Sequence, residues 1–137
     1  MALRKTACPV ISLVAEHCDE IVGHILFSPA RLSEYPETRI MGLAPMAVRP
    51  GHQGKGIGSA LVRAGLQACT DLGANAVIVL GHPEYYPRFG FLPSSRFRLD
   101  SEYDVPDEVF LALELEPGAL SALSGRVLYH EAFKSLE

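Results

Sequence analysis

Apolar positions follow two rhythms along this chain, and the change from one to the other marks its centre. Residues 10–16 (Val10, Ile11, Ser12, Leu13, Val14, Ala15, Glu16) are mostly aliphatic and lie between Pro9 and the charged pair Asp19-Glu20, which predicts a strand. Residues 21–27 read as the return strand of a hairpin, and their near-continuous apolar run predicts a central strand buried on both faces. Residues 28–39, with Pro29, Pro36 and several charges, read as a loop. Residues 39–48 predict a third strand. It contains Pro45, which cannot donate to a ladder, so its pairing is expected to break there.

The rhythm then becomes helical. Ile57, Leu61, Ala64, Ala68 and Leu72 form one apolar stripe, and Gly73 is the expected C-terminal stop. Residues 76–80 (Ala76, Val77, Ile78, Val79, Leu80) are all apolar, predicting a buried strand parallel to the third and joined to it through the helix by a right-handed crossover over residues 40–80. Residues 84–89 allow a helix of one or two turns ended by Gly90. Residues 91–99 read as strand or extended loop, residues 110–116 as a strand broken by Pro117-Gly118, and residues 125–130 as a last short strand. Ala2, Leu3, Arg4 and Lys5 would fit a last helical turn before Pro9. The order β-β-β-α-β-(α)-β-β predicts a mixed α/β (α+β) fold with an antiparallel start and one parallel crossover.

Composition narrows the classes. The 137 residues fit one domain, 1–137, with a core of its own, and 48% hydrophobic against 20% charged content is globular rather than disordered. A net charge of −4 argues against nucleic acid or an anionic membrane as the main partner, and favours small cationic substrates only weakly. Cys8, Cys18 and Cys69 are odd in number and lack metal-ligand spacing, so reduced thiols in a cytoplasmic protein and no metal are expected. No apolar run approaches membrane-spanning length, and the N-terminus lacks a basic-then-apolar signal pattern.

Between the third strand and the helix lies the chain's most distinctive stretch, residues 48–59, with Gly51, Gly54, Gly56 and Gly58 within eight positions. Glycines at a helix start let the backbone approach a ligand, and the unpartnered first-turn amides favour an anion. A Walker A loop is excluded because Gly56 follows Gly54-Lys55 and position 49 is Arg. The dinucleotide fingerprint is excluded because Ser59 stands where its third glycine belongs. A pyrophosphate cradle and a plain tight turn remain, and four glycines are more than a turn needs.

Two segments together resemble the GNAT superfamily of N-acetyltransferases. Gln53-Gly54-Lys55-Gly56-Ile57-Gly58, entered from a strand and followed by Leu61-Val62, is similar to its motif A. Leu80-Gly81-His82-Pro83-Glu84-Tyr85-Tyr86-Pro87-Arg88-Phe89-Gly90-Phe91 is similar to its motif B, and resembles in wording one bacterial subgroup of small-molecule acetyltransferases. The resemblance spans roughly residues 10–130. It implies a mostly antiparallel sheet with a parallel strand pair splayed around one crossover helix. It implies acetyl-CoA as co-substrate and a primary amine, on a small molecule or peptide, as acceptor. Such a domain usually opens with a strand and two helices before the hairpin. Their apparent absence implies either a shortened product or a second subunit, such as a homodimer partner, that completes the fold. A non-catalytic acyl-CoA-binding module is therefore the alternative reading.

The resemblance also assigns roles. Backbone amides of Gln53, Gly54, Lys55, Gly56, Ile57, Gly58 and Ser59 would hold the pyrophosphate, with the Lys55 side chain either adding charge or merely solvated. Met46, Ala47 and Val48 would bond the pantetheine where Pro45 opens the ladder. Tyr86, four residues before Gly90, would protonate the departing thiolate, and Tyr85 would be a wall residue. The third strand carries no carboxylate for a base, which leaves Glu84, His82, His24 or a relaying water. His52 stands where an acidic residue is common in the family.

Overall fold

Ala76, Val77, Ile78 and Val79 are all buried, and their strand lies mid-sheet. The computed structural model of the chain describes residues 10–32, 35–81, 83–101, 106–120 and 125–129. Alternation along this strand sends Val77 and Val79 into one core and Ala76 and Ile78 into another on the opposite face. Burying one such branched side chain contributes about 1.5–3 kcal/mol. A strand apolar on both sides is therefore stable only between two apolar layers.

The strands are β1 Ile11–His17, β2 Glu20–Leu32, β3 Tyr35–Val48, β4 Ala76–Leu80, β5 Leu92–Pro93, β6 Leu99–Ser101, β7 Phe110–Glu114 and β8 Gly125–Tyr129; the helix α1, Ile57–Leu72, joins β3 to β4. They form one sheet of eight strands in the order β5-β7-β4-β3-β2-β8-β6, with β1 also paired to β2. β3 and β4 are parallel, as is the short pair β6 and β8, while the remaining neighbours are antiparallel. This is the mixed fold with an antiparallel start and a parallel crossover that the pattern predicts, and the sheet is mostly antiparallel, as the resemblance implies. The first layer, on the α1 side, holds Ile25, Phe27, Leu43, Val79 and Phe91. The second holds Ile40, Ile78, Phe110, Leu120 and Val127.

Three expectations change. Within the stretch 28–39 the described residues are strand rather than loop: β2 runs on to Leu32 and β3 begins at Tyr35. Pro29 is tolerated because it sits where β2 changes partner, β1 pairing up to Phe27 and β8 starting at Ala30. The buried face of α1 is Leu61, Val62, Gly65 and Cys69, whereas Ala64 and Leu72 are exposed. Gly65 explains the rotation, since any side chain there would overlap the Phe27 ring. The stretch 91–99 is β5, a 3-10 turn at Ser94–Phe97, and the start of β6.

Gly73 closes α1 in the left-handed conformation (φ 91°), its N–H reaching the carbonyls of Cys69 and Thr70. Cys69 is fully buried and burial pushes its thiol up to about 12, whereas Cys18 is exposed in the β1–β2 turn. Residues 2–5, Cys8 and His130 lie outside the described residues.

Candidate active site

The site begins where β3 and β4 part. Their parallel ladder runs from Ile40–Ala76 to Leu43–Val79 and ends there. β3 continues to Val48, held on its other edge by β2, where Ile25 pairs with Met46 and Phe27 with Leu43. Leu26 therefore faces two residues, Ala44 and Pro45, which is a β-bulge. Pro45 removes a donor at that point, and among the described residues no strand pairs with the β4-facing edge of Met46, Ala47 and Val48.

The glycine stretch turns directly out of that free edge. Pro50–His52 forms a 3-10 turn, and Gln53 Nε2 donates to the Val48 carbonyl at 3.0 Å, folding the loop back on the strand. Gly54 (φ 78°) and Gly56 (φ 83°) adopt left-handed backbone that other residues reach only at a cost of about 1–2 kcal/mol. Gly56 is the N-cap of α1. No side chain caps the helix and no acidic residue occupies its first turn, so its first amides keep their donors for an outside acceptor.

The facing wall comes from the turn after β4. Tyr86–Phe89 is a 3-10 turn closed by Gly90 (φ 100°). The Tyr85 hydroxyl lies 3.2 Å from Ser59 Oγ in the first turn of α1. The Arg88 guanidinium stacks 4.5 Å from the centre of the Tyr85 ring, and Arg88 Nε donates to the Tyr85 carbonyl at 3.0 Å. Between the walls is a cleft of about 700 Å³ lined by Met46, Ala47, Val48, the loop residues His52, Gln53, Gly54, Gly56, Gly58 and Ser59, and by Tyr85 and Arg88.

Eight of the expected cofactor-binding residues thus meet on one cleft: Met46, Ala47, Val48, Gln53, Gly54, Gly56, Gly58 and Ser59. Lys55 is exposed beside it, and Ile57 turns inward against Gly23. Tyr86 is not among the lining residues. It is 6% exposed, packed edge-on against Phe91 and over Gly81, in the same core as Leu43 and Val79, the last ladder pair. Burial first, and the neighbouring Tyr85 second, push its phenol up to about 12. Glu84 is exposed. His24 bonds Ser12 Oγ at 3.2 Å, and lies on the face away from α1, since the adjacent Gly23 faces Ile57 and Leu61. His82 lies outside the described residues. Arg88 and His52 line the cleft without having been assigned a role there. The signal for Arg88 was its place in the turn Tyr86–Phe89, beside the residue expected to serve as proton donor.

Comparison with known proteins names the arrangement. Residues 2–91 match the model of the acetyltransferase (GNAT) family. The chain belongs to this family. It is 40% identical over 106 residues to the Escherichia coli K12 protein YjhQ, named an uncharacterized N-acetyltransferase, a match covering 76% of this chain and 59% of that one. It is 32% identical over 132 residues to E. coli YhbS, likewise named, covering 96% and 78%. The chain thus spans less than two thirds of the length of YjhQ. Among solved structures, the GNAT protein YhbS of E. coli in complex with CoA superposes with a TM-score of 0.88 at 31% identity, over 97% of this chain and 74% of that one. A GNAT acetyltransferase of Brucella melitensis in complex with acetyl-CoA gives 0.74 at 36% identity, over 96% and 73%.

The residues present fit the cofactor that this family implies. A Cβ built on Gly54 or Gly56 meets nothing within 4 Å, so both backbones face open cleft rather than protein. No group of His, Cys, Asp and Glu that could hold a metal occurs among the described residues, and none of their helices is long and apolar enough to cross a membrane.

Proposed function

We propose that this chain binds acetyl-CoA in the cleft and transfers its acetyl group to a primary amine of a small molecule or peptide. The observation that carries the reading is the parting of β3 from β4 after Leu43–Val79, continued by an uncapped helix start on the same cleft. Two solved relatives in the family hold CoA or acetyl-CoA, and the fold extends over nearly the whole of this chain. When bound, acetyl-CoA supplies an acyl group on a thiolate leaving group.

The chain's own residues then have distinct tasks. Amides of residues 53–59 receive the phosphates, with the positive end of α1 behind them. The free edge of Met46, Ala47 and Val48 offers donors and acceptors to the pantetheine amides. An amide of β3 near the bulge at Ala44 and Pro45 is the proposed donor to the oxyanion. Tyr86 is the proposed proton donor, because its ring packs over Gly81, two residues past the last ladder pair Leu43–Val79, whereas Tyr85 is tied to Ser59 at the phosphate end. A phenol near 12 stays protonated at neutral pH. Full transfer to a thiolate of ordinary pKa, about 8.5, would be uphill by about 5 kcal/mol. Tyr86 therefore acts by hydrogen bonding as the thiolate departs, not by giving up its proton beforehand. Glu84, exposed next to Tyr85, is the proposed acceptor of the amine proton through solvent. Free thiols at Cys18 and Cys69 fit a reducing compartment, and the cytoplasm is the proposed location.

Thiol release from acetyl-CoA with a panel of primary amines tests this. Amine-dependent release is expected. Tight acetyl-CoA binding with no release from any amine would favour the non-catalytic acyl-CoA-binding reading. Absence of binding would refute both.

A further inference from the structure

We propose that Arg88 is a phosphate-reading residue: a preset guanidinium that closes on the acyl carrier's pyrophosphate from the wall opposite the glycine loop. The inference rests on the cofactor reading above and goes beyond it. It names a side chain that makes the site select carriers with a diphosphate over carriers without one.

Arg88 is the single Lys or Arg among the residues described as lining the cleft; Lys55, in the loop itself, is not one of them. Its guanidinium is held by two contacts to one residue. The ring of Tyr85 lies 4.5 Å below it, and Nε is spent on the Tyr85 carbonyl at 3.0 Å. Tyr85 is fixed in turn by its hydroxyl at 3.2 Å from Ser59 Oγ, and by edge-on packing against Tyr86 and Phe89. The chain of contacts runs from the first turn of α1, through Tyr85, to Arg88. Among the described residues nothing accepts from the two terminal nitrogens of Arg88, and no carboxylate pairs with it. A guanidinium held by Nε and by its face, with its two terminal nitrogens left over, is arranged for two parallel bonds to one anionic group. The opposite wall supplies amide donors and a helix dipole, so the two walls converge on the same negative charge. Holding the side chain in place in advance removes part of the rotamer entropy that a free surface arginine would lose on binding.

The test is calorimetry with four ligands, CoA, dephospho-CoA, 4′-phosphopantetheine and pantetheine, on the wild-type chain, Arg88→Gln and Arg88→Lys, with thermal unfolding as a fold control. Charge-assisted bonds of this kind predict an affinity loss of about 10-fold to 100-fold for Arg88→Gln with CoA and with dephospho-CoA. Little change is expected with pantetheine. Arg88→Lys recovers only part of the loss, because it keeps the charge without the fork. The salt dependence of CoA binding also becomes shallower in Arg88→Gln. A loss seen with CoA but not with dephospho-CoA would move Arg88 to the 3′-phosphate and overturn the proposal. Equal affinities across variants would reduce Arg88 to a packing residue and also overturn it. If the wild-type chain itself fails to bind CoA, the cofactor reading falls instead.

Discussion

The hydroxyl of Tyr85 and Oγ of Ser59 lie 3.2 Å apart, across the mouth of the cleft between the post-β4 turn and the first turn of α1. A Cβ placed on the neighbouring Gly58 would come to 3.2 Å from the same hydroxyl, so a side chain there would push the hydroxyl aside by a few tenths of an ångström. The contact fixes the distance between the wall that carries Arg88 and the wall that carries the loop amides. A half-buried neutral hydrogen bond of this kind contributes about 1 kcal/mol. Tyr85→Phe and Ser59→Ala should each lower stability by about that amount and weaken acetyl-CoA binding. The double variant should be no worse than either single one, which urea unfolding and calorimetry would establish. Fully additive losses would mean that the two hydroxyls act separately.

Gly56 separates backbone strain from ligand space. At φ 83° a valine costs about 1–2 kcal/mol, and its side chain enters the open cleft. Gly56→Val should therefore remain folded with a modestly lowered melting temperature, and should lose acetyl-CoA binding. Gly51→Ala, where a Cβ likewise meets nothing but φ is ordinary, should stay within about 0.5 kcal/mol of wild type in stability. Retained binding in Gly56→Val would contradict the cradle.

Tyr86→Phe removes one oxygen and keeps the ring against Phe91. Turnover with a working amine should fall about 100-fold, with KM for acetyl-CoA nearly unchanged, as expected when a donor acts only as the leaving group departs. An unchanged kcat would show that Tyr86 is a core aromatic and nothing more.

Alkaline stability follows from two buried groups. Cys69 is raised from 9.0 to about 12, and Tyr86 from 10.0 to about 12. Each keeps its proton longer in the folded chain than in the unfolded one. The stability they contribute is therefore whole below pH 9 and is lost as pH rises from the unfolded values to about 12. By then Cys69 accounts for about 4 kcal/mol and Tyr86 for about 3 kcal/mol. At pH 10, on the order of 1 kcal/mol should already be lost through Cys69, and Cys69→Ala should remove that part of the slope. Urea midpoints between pH 8 and 10.5 test this, and a flat profile in the wild-type chain would contradict it.

The strands and the cleft's loop were legible because their signals are local. An apolar run such as residues 76–80 can be stable only between two layers. Clustered glycines ahead of a helical stripe can form only a few kinds of turn. Pro45 announced the parting of the ladder because a missing donor has the same consequence in any sheet. What was not legible depends on partners distant in the chain. The buried face of α1 is set by Phe27 seating on Gly65, which periodicity read along the helix alone turned toward Ala64. Pro29 looked like a loop residue because nothing local shows that β2 changes neighbours there. Arg88 was visible as a letter in a motif. Its direction depended on stacking with Tyr85, and so on the Ser59 contact that holds Tyr85 in place.

The central claim is that the cleft between the free edge of β3, the glycine loop and the Tyr85–Arg88 wall is the acetyl-CoA site. Titrating acetyl-CoA into the ¹⁵N-labelled chain and following each amide tests it most directly. Saturable shifts centred on Gly54, Gly56, Gly58 and Ser59, reaching Met46 to Val48 and the Arg88 side chain, are expected. Absence of saturation, or shifts confined to the opposite end of α1 around Thr38, Leu72 and Ala74, would contradict it.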